Sequence, residues 1–313
     1  MTTSADVVPR RLVVLGGGPV ACELATAWRS LGSDEVTVVE RGPRLLSRVE
    51  PFAASAVAAG LAAQGVDVRT GASAVRVERA VGGGPVRIHL DTGGELEADE
   101  VLVATGRHPN SDTLGLETVG LSPGGWLPVD DTGRVTNVAS SSPWLYASGD
   151  ITHVALLTHM GKYQARACGD AIVARERGTL GDEPRAWSRY AATAMHACVP
   201  QVVYTRPEVA AVGRSEAEAR DAGLDIRVVK VAIDVAGASL HAEGYEGTAQ
   251  LVVDERRRVI VGATFVGPEV GEMLHAATIA VVGEVPLDRL WHAVPAFPSV
   301  SEVWLRLLEA YGL

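Results

Sequence analysis

The chain has 313 residues, 47 % hydrophobic and 21 % charged, with a formal net charge of −10. That length accommodates two domains with cores of their own, and the acidity argues against a nucleic-acid partner, which needs a basic face. No apolar run reaches 18 residues, so no membrane-spanning helix is expected. The start, Met1-Thr2-Thr3-Ser4-Ala5-Asp6, lacks the basic and apolar regions of a signal peptide, and the expected location is the cytoplasm. Cys22, Cys168 and Cys198 form no C-x2-C or C-x4-C pair, and the eight histidines are scattered. Neither a dithiol centre of neighbouring cysteines nor a metal site is expected.

Residues 11–15 read as a short buried strand, followed by a glycine-rich turn. From Val20 to Leu31 the apolar residues recur at helical spacing, and Gly32 ends the helix. Residues 36–40 form a second strand, the alanine-rich stretch 52–64 a second helix, and 66–69 a third strand. This β-α-β-α-β order predicts a parallel sheet with right-handed crossovers. Residues 73–79, 86–91 and 95–98 then alternate apolar and polar positions, as an antiparallel meander does. Gly82-Gly83-Gly84 falls in one of its turns and reads as a hairpin loop, because no helix follows. Residues 100–104 return as a buried strand.

The stretch 107–185 is loop-rich, with one helix over about 159–177, and 178–190 reads as a linker. Beyond it, strands near 201–204, 209–213, 226–233, 248–254 and 258–265 surround helices near 215–222 and 269–282, with a last helix at about 300–311. The fold class is therefore an α/β Rossmann-type nucleotide-binding domain followed by an α+β domain. The divisions fall at 1–106, 107–185 and 186–313.

Gly16-x-Gly18-x-x-Ala21 follows a strand and opens a helix, the setting that gives this motif its meaning. Gly16 permits the tight turn, Gly18 lets a pyrophosphate approach the backbone, and Ala21 is small enough for helix–strand packing. Pro19 and Val20 complete the turn, whose free amides and positive helix end attract a diphosphate. Glu40 ends the second strand, where an acceptor for the adenosine ribose hydroxyls is expected. A carboxylate there favours NAD(H) over NADP(H), although Arg41 and Arg44 are near enough in sequence to pair with a 2′-phosphate.

Five segments together resemble the class I pyridine nucleotide–disulfide oxidoreductases, lipoamide dehydrogenase and mercuric reductase among them. They are Gly16-Gly17-Gly18-Pro19-Val20-Ala21-Cys22-Glu23-Leu24-Ala25, Ala104-Thr105-Gly106-Arg107-His108-Pro109-Asn110 and Leu145-Tyr146-Ala147-Ser148-Gly149-Asp150, then Tyr204 to Gly213 and Pro298 to Glu302. The resemblance implies that Glu23 lies beside the nicotinamide and that Gly106 passes close to both cofactors. It implies that Asp150 accepts a hydrogen bond from the flavin ribityl chain. The helix after Thr158 would aim its N-terminus at the flavin, where it can stabilise the charge of the reduced ring. The last domain would form a homodimer.

Two departures from the family pattern shape the expectation. The family's FAD-binding first half, with its own glycine turn, has no counterpart before residue 11. Asp150 and the 159–177 helix would then be half of a flavin site, and Leu145, Tyr146, Leu156 and Leu157 would be left exposed. A separate chain would supply the flavin half, or the segment would have repacked, or the sequence would be a fragment. The second departure is Phe297, which stands where disulfide reductases carry a catalytic histidine. Glu302, which would orient that histidine and is the one candidate catalytic residue, loses its partner, and His292 lies elsewhere. The reading is an NAD(P)H-dependent flavoprotein-type oxidoreductase acting on a small, non-disulfide acceptor. The alternatives are a non-redox enzyme or an NAD(P)-binding assembly module on the same scaffold.

Overall fold

A computed structural model describes residues 7–81, 83–138 and 144–313. Residues 1–6 and Gly82, read above, lie outside them. Two compact units emerge, one joining 1–106 to 200–313 and the other spanning 107–199.

In the first unit β1 (Arg11–Leu15), β2 (Glu35–Glu40), β3 (Val66–Thr70) and β7 (Glu100–Val103) form a parallel sheet in the order β3-β2-β1-β7. Helices α1 (Pro19–Leu31) and α2 (Pro51–Ala63) make the crossovers. Each helix carries a proline in its first turn, where a missing N–H costs nothing, and α1 ends on Gly32 in the left-handed conformation. The strands between them are rich in valine, as strands covered on both faces require. One face packs Val13, Leu15 and Val39 against the meander β4 (Ala74–Arg79), β5 (Val86–Leu90) and β6 (Glu95–Ala98) through Val86, Ile88 and Ala98.

The other face packs Leu12, Val14, Val36 and Val38 against Ala21, Ala25, Val57 and Leu61 of the two helices, and the same core continues into Val203, Val209 and Val266. Those three belong to a five-stranded antiparallel sheet, order β10-β11-β12-β9-β8. Its strands are β8 (Pro200–Val203), β9 (Glu208–Gly213), β10 (Ile226–Ala232), β11 (Thr248–Asp254) and β12 (Val259–Gly267). Helices α1 and α2 thus lie between two sheets. At Gly60 of α2 a side chain would have no room, because a Cβ would stand 2.0 Å from the Arg206 carbonyl oxygen.

In the second unit α3 (Thr158–Glu176) buries Met160, Gln164, Ala167 and Ala171, and the Gln164 side chain accepts a hydrogen bond from the Gly149 N–H at 2.7 Å. Leu145, Tyr146, Leu156 and Leu157 are half-buried, not exposed. Leu145 joins Leu116, Leu121, Leu127 and Val135 in a small core of their own. Leu157 packs on Met160 and Met195, and the Arg175 guanidinium lies over the Tyr146 ring and donates to its hydroxyl at 3.1 Å. The exposed large apolar side chains of this unit include Trp144, Ile172, Val173 and Trp187 instead. This compact unit runs to Val199, and Ala192 and Met195 are part of the core under α3.

Four short helices complete the last domain: α4 (Glu216–Asp221), α5 (Ala236–His241), α6 (Leu274–Val282) and α7 (Leu287–Leu290), followed by α8 (Val303–Tyr311). Of these, α5 and α7 escape the sequence reading: both are short, and neither has a capping box like that of Ser215 and Glu218 at the start of α4. Tyr311 is held between the guanidinium groups of Arg227 and Arg258, at 4.7 and 5.8 Å from its ring centre. Among the described residues no helix is long and apolar enough to cross a membrane.

Glu50 ties the two domains of the first unit. It is 4 % exposed, and its carboxylate accepts a hydrogen bond from the Glu216 N–H at 2.7 Å. Burial pushes its carboxyl above the usual range, the nearby charges of Glu216 and Glu218 add to this, and the Glu216 N–H and Arg44 oppose it. A carboxyl raised in the folded state favours folding as pH falls through the raised value, until the ordinary carboxylate value is reached. Glu50→Gln keeps the acceptor and removes the buried charge. It is expected to raise stability by about 1 kcal/mol at pH 8 and to leave it unchanged at pH 4. Urea unfolding at the two pH values checks this, and equal effects at both would contradict it.

Candidate dinucleotide site

The turn between β1 and α1 is built by glycine. Gly16 has φ +110°, a left-handed conformation, and a Cβ there would stand 2.5 Å from the Ala104 carbonyl oxygen. Its N–H donates to Val39 at 2.8 Å, and the Gly17 carbonyl accepts from the Leu46 N–H at 2.8 Å. Gly18 caps the helix in extended conformation, Pro19 follows, and the first helical bond runs from the Cys22 N–H to the Gly18 carbonyl at 3.1 Å. The N–H groups of Val20 and Ala21 precede that bond and have no partner within the helix. A Cβ added to Gly18 would meet no atom within 4 Å. The head of α1 is therefore open, and its donors suit a diphosphate.

Glu40 leans back over the turn, for a Cβ on Gly17 would stand 2.8 Å from its Oε2. Its Oε1 accepts from the Gly42 N–H at 2.6 Å, which fixes the carboxylate at the end of β2. Arg44 does not point at a ligand: it donates to the carbonyls of Leu46 at 2.9 Å and Ser47 at 2.7 Å. Arg41 is exposed. Cys22 is buried at the head of α1, a place that ordinarily lowers a thiol pKa. Here burial, with the charges of Glu23 and Glu40, pushes it up to about 12, so it is a packing residue and no nucleophile.

One turn into α1, the Glu23 carboxylate accepts a hydrogen bond from the Tyr204 N–H at 3.0 Å, a bond from the first domain to the segment after β8. Nothing in the sequence signals this pairing across 181 positions. Gly106, just past β7, is exposed with φ +149°.

The remaining candidates lie apart. In the second unit Asp150 starts a short 3-10 turn, 3.5 Å from the Arg107 guanidinium, which also donates to the Leu156 carbonyl at 2.7 Å. Leu157, the residue before α3, makes no side-chain cap. Among the described residues no second strand, glycine turn and helix accompanies them that could take a flavin's diphosphate. The residues present do not by themselves fit FAD. Glu302 is not without a partner: its Oε2 accepts from the Gly237 N–H at 3.4 Å, at the start of α5. Phe297 is 75 % exposed. Among the described residues no group of three His, Cys, Asp or Glu side chains could hold a metal ion.

Comparison with known proteins matches the pyridine nucleotide-disulphide oxidoreductase family over residues 2–178 and its dimerisation domain over 199–308. The dihydrolipoyl dehydrogenase of Thermus scotoductus is 34 % identical over 309 residues, covering 97 % of this chain and 62 % of that protein. A glutathione reductase of Burkholderia cepacia is 31 % identical, covering 98 % and 65 %, and a mercuric reductase of Staphylococcus aureus is 32 % identical, covering 94 % and 51 %. Among solved structures, the HOCl-induced flavoprotein disulfide reductase RclA from Escherichia coli superposes with a TM-score of 0.79 at 26 % identity, over 98 % of this chain and 66 % of that one. LpdA from Mycobacterium tuberculosis gives 0.81 at 25 %, over 99 % and 63 %. The chain spans about three fifths of the length of the curated relatives it matches. With its nucleotide-binding domain, its dimerisation domain and these relatives in family order, the chain belongs to the pyridine nucleotide-disulphide oxidoreductase family.

Proposed function

We propose that the chain is the NAD(H)-binding and homodimer-forming portion of an oxidoreductase that works with a flavin. The single observation that carries this is the open head of α1, where Val20 and Ala21 offer amides beside a Gly18 with free space over it. Bound NADH would supply a hydride. What the chain itself contributes is placement. The turn holds the diphosphate, and Glu40 accepts from the adenosine ribose hydroxyls. Glu23 and Gly106 flank the nicotinamide. Preference for NAD(H) over NADP(H) is supported by the fixed Glu40 carboxylate, which repels a 2′-phosphate, and by Arg44, whose guanidinium is occupied by backbone carbonyls.

The larger part of the flavin site lies outside these 313 residues, on a longer form of the chain or on a separate one. Asp150 and the head of α3 are this chain's share of it. A small, non-disulfide acceptor is favoured because the phenyl ring of Phe297 can carry no proton where disulfide reductases of the family place a histidine. In this reading Glu302 holds α5 and has no catalytic part. The five-stranded domain makes the homodimer, and its exposed Leu240, Ile279, Val294 and Phe297 supply apolar surface for it.

Gly18→Val places a branched side chain where the diphosphate must lie and is expected to abolish NADH binding in calorimetry, with folding intact by circular dichroism. Wild-type affinity in this variant would overturn the site. Glu40→Ala is expected to weaken NADH by about tenfold, the worth of a charge-assisted hydrogen bond, and to change NADPH little. Equal losses would show that Glu40 does not set the preference. The purified 313-residue chain is expected to be a dimer by light scattering and to retain no FAD after incubation and gel filtration. A yellow protein with stoichiometric flavin would show that it holds the cofactor alone.

A further inference from the structure

Gly17 is anchored from outside the elements it joins. Gly16 is held by β2 through Val39 and Gly18 by α1 through Cys22, but the Gly17 carbonyl accepts from the Leu46 N–H at 2.8 Å, in the loop after β2. Glycine on both sides lets the peptide between Gly17 and Gly18 rotate at little steric cost, so this one bond decides which way it faces. In a planar trans peptide the C=O and the N–H point in opposite directions. Holding the Gly17 carbonyl on Leu46 therefore turns the Gly18 N–H away from the loop. A flip would put a carbonyl oxygen where that N–H had been, and an oxygen repels the anion that an N–H attracts.

The loop that supplies the anchor is itself bent against preference. Leu46 is buried and has φ +46°, a left-handed conformation that a residue with a Cβ adopts only at a cost. Its side chain belongs to the core that α1 and α2 share, which keeps it in place. Arg44 spans the bend. Its guanidinium donates to the Leu46 carbonyl at 2.9 Å and to the Ser47 carbonyl at 2.7 Å. The Leu46 carbonyl also accepts from the Val49 N–H at 3.0 Å, and Arg44 joins it to the carbonyl of the next residue. A planar guanidinium can hold two carbonyls in a fixed fork, which the point charge of a lysine ammonium cannot.

Resting on the dinucleotide reading, we infer that Arg44 is a positioning residue for the diphosphate: it fixes Leu46, Leu46 fixes the Gly17–Gly18 peptide, and the turn meets its ligand already oriented. Its hydrogen bonds carry this role and its charge does not. Arg44→Met and Arg44→Lys, titrated by calorimetry with NADH and with ADP-ribose, test this. Melting temperature and hydrogen exchange of the Leu46 amide are measured on the same proteins. ADP-ribose keeps the diphosphate and lacks the nicotinamide. Both variants are expected to bind both ligands about tenfold more weakly, the worth of a hydrogen bond made by a charged group, and to exchange the Leu46 amide faster. Wild-type affinity in Arg44→Met overturns the inference, as does affinity restored by the lysine charge or a loss confined to NADH. A lowered melting temperature with unchanged affinity overturns it too, because Arg44 then supports the fold alone. If Arg44→Met does not fold, Arg44→Lys decides by the same measurements. These failures leave the dinucleotide site standing; if the wild type binds neither ligand, the dinucleotide reading and this inference fall together.

Discussion

Everything in the first unit depends on burying α1 and α2 on both sides. Alanine and valine fill the helix faces, so the parallel sheet on one side and the antiparallel sheet on the other both approach closely. A core shared in this way cannot be divided without exposing Val203, Val209 and Val266 together with the helices. The glycine turn sits at the head of one of those helices. Its geometry is therefore set by two sheets at once, and the amides it presents need not be ordered when a ligand arrives.

The same packing explains why two carboxylates bridge the domains. Glu23 on α1 and Glu50 just ahead of α2 each accept an N–H from the second domain, one from Tyr204 and one from Glu216. An N–H at the start of a strand connection or of a short helix has no partner in its own element. Placed in a domain contact, it would be costly to leave unpaired. A side-chain acceptor from across the contact satisfies it and fixes the relative position of the two domains. Glu50 does so at the expense of a buried charge, which is why its carboxyl titrates high.

Much of this was legible in the residue order. The run from Arg11 to Glu40 announces strand, glycine turn, helix and strand through local rules alone, and the alternation from Ala74 to Ala98 announces the meander. The strands of the last domain emerge for the same reason. What stayed hidden is long-range. No local pattern ties Glu23 to Tyr204, turns Arg44 onto its own loop, or gives Glu302 the Gly237 amide. The half-burial of Leu145 and Leu157 was also invisible, because the small cores that take them up are assembled from loops with no period. The family pattern identified the candidate residues, but their hydrogen-bond partners had to be seen.

The bare surface at Gly60 carries a lesson for protein engineering. Because the Arg206 carbonyl and the Pro207 ring sit directly on the α2 backbone there, with 2.0 Å left for any added carbon, the close approach at Gly60 leaves no slack to absorb a mismatch. Swapping the carboxyl-terminal domain for that of a distant homologue would succeed only if the donor's loop followed the same path as Thr205-Arg206-Pro207. Chimaeras of this scaffold should accordingly be cut outside the pair and exchange both halves as one piece.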